Sequence, residues 1–427
     1  MVFFPMVILF VFFALNIPVA YCLMVSALSY FVFCPTGMPA NVVIQRMIAS
    51  AESFPMLAIP FFILAGTIMT YSGISSSLMS FAECLTGHMA GGLGQVNVLL
   101  SAMMGGVSGS SNADAAMQAK MLVPEMEKRG YGKGFSAAVT AASACITPVI
   151  PPGITLILYA FMAEVSVSKM FIAGYVPGIL ITIALMIVVT IVSRKKGYKP
   201  VRERMAPAGE IGREFVRSLW ALFMPFGLIL GLRIGIFTAS EAGAVSVVYC
   251  LLVGFFVYKE LKLEMLPQII KESVCSTCSV MLIIVSASAF SYYMSWERIP
   301  QVITEMLTSV TTSPVGLLLI INVFLLILGM FLEGTASLII LTPLLLPVAK
   351  SLGIDPIHLG IVMVVNITMG GMTPPFGTLI FVVCSTLKLN VTEFVKESLP
   401  FIAALILVLL LITYCPPLVT TLPDLFG

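Results

Sequence analysis

The sequence predicts an all-α polytopic membrane protein made of two inverted-topology repeats, each with a re-entrant helical hairpin and a broken helix. Three observations carry this. First, 59% of the 427 residues are hydrophobic and only 10% are charged, against about 25% charged in an average soluble domain. So few charged side chains cannot cover a soluble protein of this apolar content, which excludes a soluble enzyme, a nucleic-acid binder and a disordered chain. The residues also lack the alternation of a β-barrel. Second, a shift of 223 residues superposes one set of Pro and Gly positions on another. Third, the charge pattern of the two sets inverts.

Spanning helices need about 20 apolar residues, and six stretches supply them: 54–73, 170–193, 219–237, 240–258, 273–295 and 398–420. The stretch 2–33 reads as two short spans broken at Asn16-Ile-Pro18, or as one tilted span. No basic residue precedes Arg46, so the apolar start is not expected to be a cleavable signal. Residues 91–130 and 314–353 are apolar arms with small polar tips, and 135–163 and 359–387 hold a Pro-Pro at membrane depth. Amphipathic pieces at 74–90, 259–272 and 297–313 connect the spans.

The linker 194–218 is the strongly polar segment, with Arg194, Lys195, Lys196, Lys199, Arg202, Arg204, Arg213 and Arg217. Basic loops stay on the cytoplasmic side. With this linker inside, both termini come out periplasmic, and 17 of the 22 Lys and Arg fall on the inner face with four on the outer. Arg233 alone falls in a span.

At the 223-residue offset, Leu122-Val-Pro124 lies on Leu345-Leu-Pro347, Gly130 on Gly353, Pro151-Pro152 on Pro374-Pro375, Gly106 on Gly329 and Pro177 on Pro400, with no gap from 54 to 193. The chain therefore divides into 1–193, the linker, and 219–427. The loop at 128–133 is basic and its counterpart at 351–358 is not, so the two face opposite sides. An odd number of crossings per half produces this and favours two spans in 2–33. Inverted repeats with interrupted helices mark secondary transporters.

The first tip reads Gly105-Gly-Val-Ser-Gly-Ser-Ser-Asn-Ala-Asp114 and the second Gly329-Met-Phe-Leu-Glu-Gly-Thr-Ala-Ser337. The breaks read Thr147-Pro-Val-Ile-Pro-Pro-Gly153 and Gly370-Gly-Met-Thr-Pro-Pro-Phe-Gly377. Irregular backbone at membrane depth survives only where it is buried or lines a cavity, so each tip is expected to meet the break of its own half. Half-helix N-termini there would attract an anion, while unwound carbonyls and hydroxyls would hold a hard cation such as Na⁺. The first cation site is placed on Ser108, Ser111 and the carbonyls of Thr147, Val149 and Pro151. The second is placed on Gly329, Glu333, Gly370 and Thr373. Ser110, Asn112, Pro152, Thr335 and Pro374 are the candidates to face the anion. Glu333, ionisable at membrane depth, is either a cation ligand or a proton carrier.

Other residues have plainer readings. Ser111-x-x-Asp114 fits a capping box, and Thr373-Pro374 fits an N-cap followed by Pro. Arg233 and Glu241 flank a short turn and are expected to pair. Lys120 is expected to snorkel. The nine cysteines, including Cys275-x-x-Cys278, read as small packing residues. No transition-metal site and no cofactor is expected.

The residues Ile59-Pro-Phe-Phe-Ile-Leu-Ala-Gly66, Gly109-Ser-Ser-Asn-Ala-Asp114, Pro124-Glu-Met-Glu-Lys-Arg-Gly-Tyr131, Ala137-Ala-Val-Thr-Ala-Ala-Ser143, Pro148-Val-Ile-Pro-Pro152, Glu241-Ala-Gly-Ala-Val245 and Thr373-Pro-Pro375 span nearly the whole chain. Through them the sequence resembles the large membrane (M) subunit of the TRAP (tripartite ATP-independent periplasmic) transporters. It departs at Gly153, where the resemblance leads one to expect Ser, and at Asn112, where it leads one to expect a small apolar residue. The resemblance implies an elevator-type ion-transporter fold, with 91–164 and 314–387 forming most of the moving part. It implies Na⁺-driven import of an organic acid, such as a dicarboxylate or sialic acid, across a bacterial inner membrane. The implied partners are a small membrane subunit and a periplasmic substrate-binding protein. The absence of a G-x-x-x-x-G-K-[ST] run accords with an ion-driven mechanism.

Three rivals stand beside this. An intramembrane serine protease is suggested by Gly106-Val-Ser108-Gly109, but its serine needs a base in reach, and the only histidines, His88 and His358, fall on opposite predicted faces. The others are an uncoupled channel or receptor, and a stand-alone Na⁺- or H⁺-coupled anion transporter of a related inverted-repeat family.

Overall fold

A computed structural model describes residues 4–15, 17–34 and 39–426, without the side chains of 40, 54, 55 and 106–108. Among the described residues every regular element is helical. Six helices are long and apolar enough to cross a membrane: Val167–Lys196, Ala208–Arg233, Ala239–Tyr258, Leu263–Trp296, Gly334–Ser351 and Val391–Tyr414. Two bent helix pairs are also long and apolar enough when taken together, Ala58–Tyr71 with Ile74–Thr86 at 68° and Ile299–Val310 with Pro314–Gly329 at 115°, each a broken span or a re-entrant turn. Their second and first members respectively are the amphipathic arms. The N-terminal stretch forms two helices that pack on each other, Phe4–Ala14 and Val19–Phe33, separated just before Pro18. A helix at Ala40–Ala51, not anticipated from the sequence, follows.

The hairpins are Gly92–Ser108 with Ser111–Met121, and Pro314–Gly329 with Gly334–Ser351. The broken helices are Lys133–Ala144 with Ile154–Ala163, and Pro356–Gly370 with Thr378–Leu387. Gly130 and Gly353, 223 residues apart, turn the chain between hairpin and broken helix at φ of 83° and 73°, in the left-handed region that favours glycine.

The inversion is visible in the packing. The equivalent helices Val167–Lys196 and Val391–Tyr414 lie side by side, and Lys196, ending the first, pairs with Glu397 near the start of the second. They therefore run antiparallel. Cys145 contacts the Thr368 carbonyl at 3.6 Å. These two positions are themselves 223 apart, so a pseudo-two-fold axis passes between them, beside both breaks.

The repeat is not gapless, however. The N-caps Ser110 and Glu333 keep the 223-residue offset. The N-caps Gly153 and Gly377, and then Ser166 and Asn390, are 224 apart. Phe376 is the extra residue, and the coincidence of Pro177 with Pro400 is accidental.

The basic linker is anchored at one end of the bundle, where Arg202 pairs with Glu83 at 3.6 Å and Glu210 at 2.8 Å. At the other end, Arg233 and Glu241 do not pair. Arg233 stacks over Phe426, and Glu241 completes a capping box with Thr238.

Candidate functional site

Both tips and both breaks face one cavity of about 890 Å³. Four helix N-termini border it. Ser111–Met121 begins there with its N-cap Ser110, whose side chain accepts from Ala113 N–H at 3.5 Å. Gly334–Ser351 begins there with Glu333, whose carboxylate accepts from Ala336 N–H at 3.1 Å and from the Thr335 hydroxyl at 3.0 Å. Ile154 and Thr155 open the third helix, and Thr378 and Leu379 the fourth. Helix N-termini present partial positive charge and unpaired N–H groups. Between them lie helix ends whose residues also line the wall: Gly109, Pro148, Ile367, Thr368 and Gly371. The cavity can therefore offer donors to an anion, while the Pro148, Ile367, Thr368 and Gly371 carbonyls already accept from Thr155, Gly371, Cys145 and Leu379 and keep only a second lone pair for a cation.

Each tip rests on its own break. A side chain added at Gly109 would lie 3.4 Å from the Pro152 carbonyl oxygen, and one at Gly334 would lie 3.5 Å from Ile367. Gly329 and Gly370 bring the outgoing arm of the second hairpin against its broken helix, where a Cβ on Gly370 would sit 2.6 Å from the Gly329 Cα. The returning arms also cross over. Ser111–Met121 packs on Thr378–Leu387 of the other half, and Gly334–Ser351 on Ile154–Ala163. The four segments thus form one interlocked unit.

Of the residues singled out in the sequence, Ser110, Ser111, Asn112, Glu333 and Thr335 line the cavity. The Asn112 Oδ1 is buried there with no hydrogen-bond partner. Ser108 ends its helix, and its side chain is outside the described residues. Thr147, Val149, Pro151 and Pro152 are buried behind the wall. The Thr147 hydroxyl is turned away from it, donating to Asp114 at 2.9 Å. Gly329 and Gly370 are buried against each other, and Thr373 and Pro374 are half-buried outside the lining.

Two capping readings are overturned. Ser110, not Ser111, is the N-cap, and Asp114 does not cap: it is buried among polar side chains of the hairpin and the break. Thr373 does not cap either. Its hydroxyl bonds back to the Met369 carbonyl, and Gly377 starts the next helix.

The opposite wall is a different set of helices. Thr67, Thr70 and Tyr71 come from Ala58–Tyr71, and Glu272, Ser276 and Ser279 from Leu266–Trp296. Tyr71 donates to Glu272 at 2.8 Å. Sequence reasoning missed these residues; their signal was a row of hydroxyls at helical spacing inside apolar spans. A second cavity, of about 930 Å³, lies toward the other end of the bundle, with Arg46, Glu164, Thr238, Tyr292 and Ser295 in its wall. Half-helix Ile154–Ala163 lines both cavities. Among the described residues no cluster of His, Cys, Asp or Glu could hold a metal ion.

Comparison with known proteins agrees with this architecture. The model of the family "Tripartite ATP-independent periplasmic transporter, DctM component" matches residues 6–418. The chain is 38% identical over 432 residues to the uncharacterized protein YgiK of Salmonella typhimurium, covering 99% of this chain and 98% of that protein. It is 35% identical over 412 residues to the sialic acid TRAP transporter large permease protein SiaM of Vibrio cholerae, covering 96% of each. Among solved structures, the YdaH transporter of Alcanivorax borkumensis has a TM-score of 0.64 at 16% identity, over 96% of this chain and 97% of that one, which shows a shared fold. The chain belongs to the DctM family, the large permease component of the TRAP transporters.

Proposed function

We propose that this protein is the permease subunit of a secondary importer that carries an organic acid anion across the bacterial inner membrane, driven by Na⁺. The observation that carries the reading is the convergence of four helix N-termini and two hairpin tips on one cavity. Such a place binds carboxylates without a cluster of basic residues, and its helix-end carbonyls and the orphaned Asn112 oxygen suit Na⁺. The name of SiaM makes sialic acid one candidate among organic acids, and dicarboxylates another. The proposed Na⁺ positions are those read from the sequence, Ser108 and Ser111 with the carbonyls of Thr147, Val149 and Pro151 in one half, and Gly329, Glu333, Gly370 and Thr373 in the other. Ser110, Asn112 and Thr335 are best placed for the substrate, with Pro152 and Pro374 stiffening the breaks behind them.

The two cavities favour an elevator mechanism. The interlocked hairpins and broken helices would move as a body along the wall formed by Ala58–Tyr71 and Leu266–Trp296, exchanging the inner cavity for the outer one. With the basic linker cytoplasmic, both termini are periplasmic and the first cavity opens inward. The halves are assigned as 1–193 and 219–427. A small membrane subunit and a periplasmic substrate-binding protein complete the system.

Reconstitution tests this. Proteoliposomes with the small subunit and the binding protein should accumulate substrate under an inward Na⁺ gradient and not without it. Uptake indifferent to the gradient would defeat the coupled reading. Full uptake without the binding protein would make the permease a stand-alone transporter.

A further inference from the structure

Asp114 is a buried carboxyl outside the lining of the cavity. It is 1% exposed and sits one helical turn behind the first tip. Its Oδ2 accepts from the hydroxyls of Ser101 at 2.8 Å and Thr147 at 2.9 Å, and its Oδ1 from the Gln118 amide at 2.8 Å. Ser101 itself accepts from Gln118 at 2.6 Å, which leaves its proton for the carboxylate. All three partners are able to donate to an ionised carboxylate. They come from the outgoing arm, the returning arm and the break. None of the ion pairs among the described residues involves Asp114.

A charge at this depth with neutral partners alone is expensive. A neutral amide could tie the same three segments together. A positive charge close by would favour the ionised form, and one turn away the first tip holds the buried, unpartnered Asn112 Oδ1. The second half shows the same economy in another place. There Glu333 stands at the position of Ser110, and Ser337 at the position of Asp114. Each half thus keeps one carboxylate within a turn of its tip.

We propose that Asp114 is the counter-charge of a cation held at the first tip. It acts at one remove, through Thr147 and the returning arm, as a positioning residue and not as a ligand. This rests on the Na⁺-coupled reading above.

Binding of ²²Na⁺ to the purified permease complex tests it, together with uptake in proteoliposomes. Asp114→Asn keeps the shape and removes the charge. It should raise the Na⁺ concentration for half-saturation by about 10-fold or more, the effect of one charge about a helical turn away, and leave the substrate KM at saturating Na⁺ within about twofold. Asp114→Ser, which copies the equivalent Ser337, serves if the Asn variant does not fold. Ser101→Ala removes a donor and keeps the charge, so Na⁺ half-saturation should stay within about twofold of wild type. An Asp114→Asn protein with the wild-type Na⁺ curve would overturn the counter-charge. So would a Ser101→Ala protein weakened as much as Asp114→Asn, since that marks a structural latch. A wild type that binds no Na⁺ would instead bring down the coupled reading on which the proposal stands.

Discussion

The two hairpin tips occupy equivalent places in the repeat and carry their charge differently. In the first, the N-cap is the neutral Ser110 and the carboxylate, Asp114, is buried one turn behind it. In the second, the N-cap is Glu333 itself, exposed on the cavity and bonded to its own helix. Each helix start thus has one carboxylate close by, buried at Asp114 behind the first tip and facing the cavity at Glu333 in the second, so the second tip is the more negative toward the cavity. Architecture is symmetric across the pseudo-two-fold axis and electrostatics is not. An anion entering this cavity should settle toward the first tip.

The most disruptive way to break this comparison is to make the first tip like the second. Ser110→Glu should raise the substrate KM by roughly 100-fold through like-charge repulsion at close range, measured by uptake in proteoliposomes. An unchanged KM would place the substrate elsewhere.

The glycine contacts differ between the halves as well. Gly370→Ala drives a Cβ into the Gly329 backbone at 2.6 Å, whereas Gly105→Ala meets the Ile150 side chain at 2.7 Å. Backbone yields less than a side chain, so Gly370→Ala should cost about 2–3 kcal/mol and Gly105→Ala about 1 kcal/mol. Thermal unfolding in detergent reads both, and equal shifts would show that the two arms are held alike.

Glu333→Gln removes the charge but keeps a capping oxygen. Its expected effect is about a 10-fold higher Na⁺ requirement for uptake, and a wild-type Na⁺ curve would assign Glu333 to capping alone. The smallest effect belongs to Ser110→Ala, which removes one cap at about 1 kcal/mol or less, readable as a small drop in melting temperature, with a modest rise in substrate KM from the lost hydroxyl.

Much of this layout was legible in the sequence. Apolar length located the spans, because lipid demands it. Gly and Pro located the tips and breaks, because chain reversal and helix interruption need them. The sequence was misleading where a local pattern competed with burial. Ser111-x-x-Asp114 has capping-box spacing, yet Ser101, Gln118 and Thr147 from neighbouring segments hold the carboxylate more firmly than a helix end would. Thr238-x-x-Glu241 has the same spacing and does form the box, where an ion pair between Arg233 and Glu241 was expected. The inserted Phe376 was hidden because two interior prolines happened to align.

Sequence by itself determined the membrane setting, the repeat, the unequal charge of the linker and the residues of the two tips. These depend on composition and on short-range backbone preference, which a linear pattern records. Tertiary structure alone decided which of those residues meet in the cavity, that each returning arm packs on the other half, and that Asp114 is buried instead of capping. Burial and hydrogen-bond partnership arise between segments distant in the chain, and no spacing within one segment encodes them.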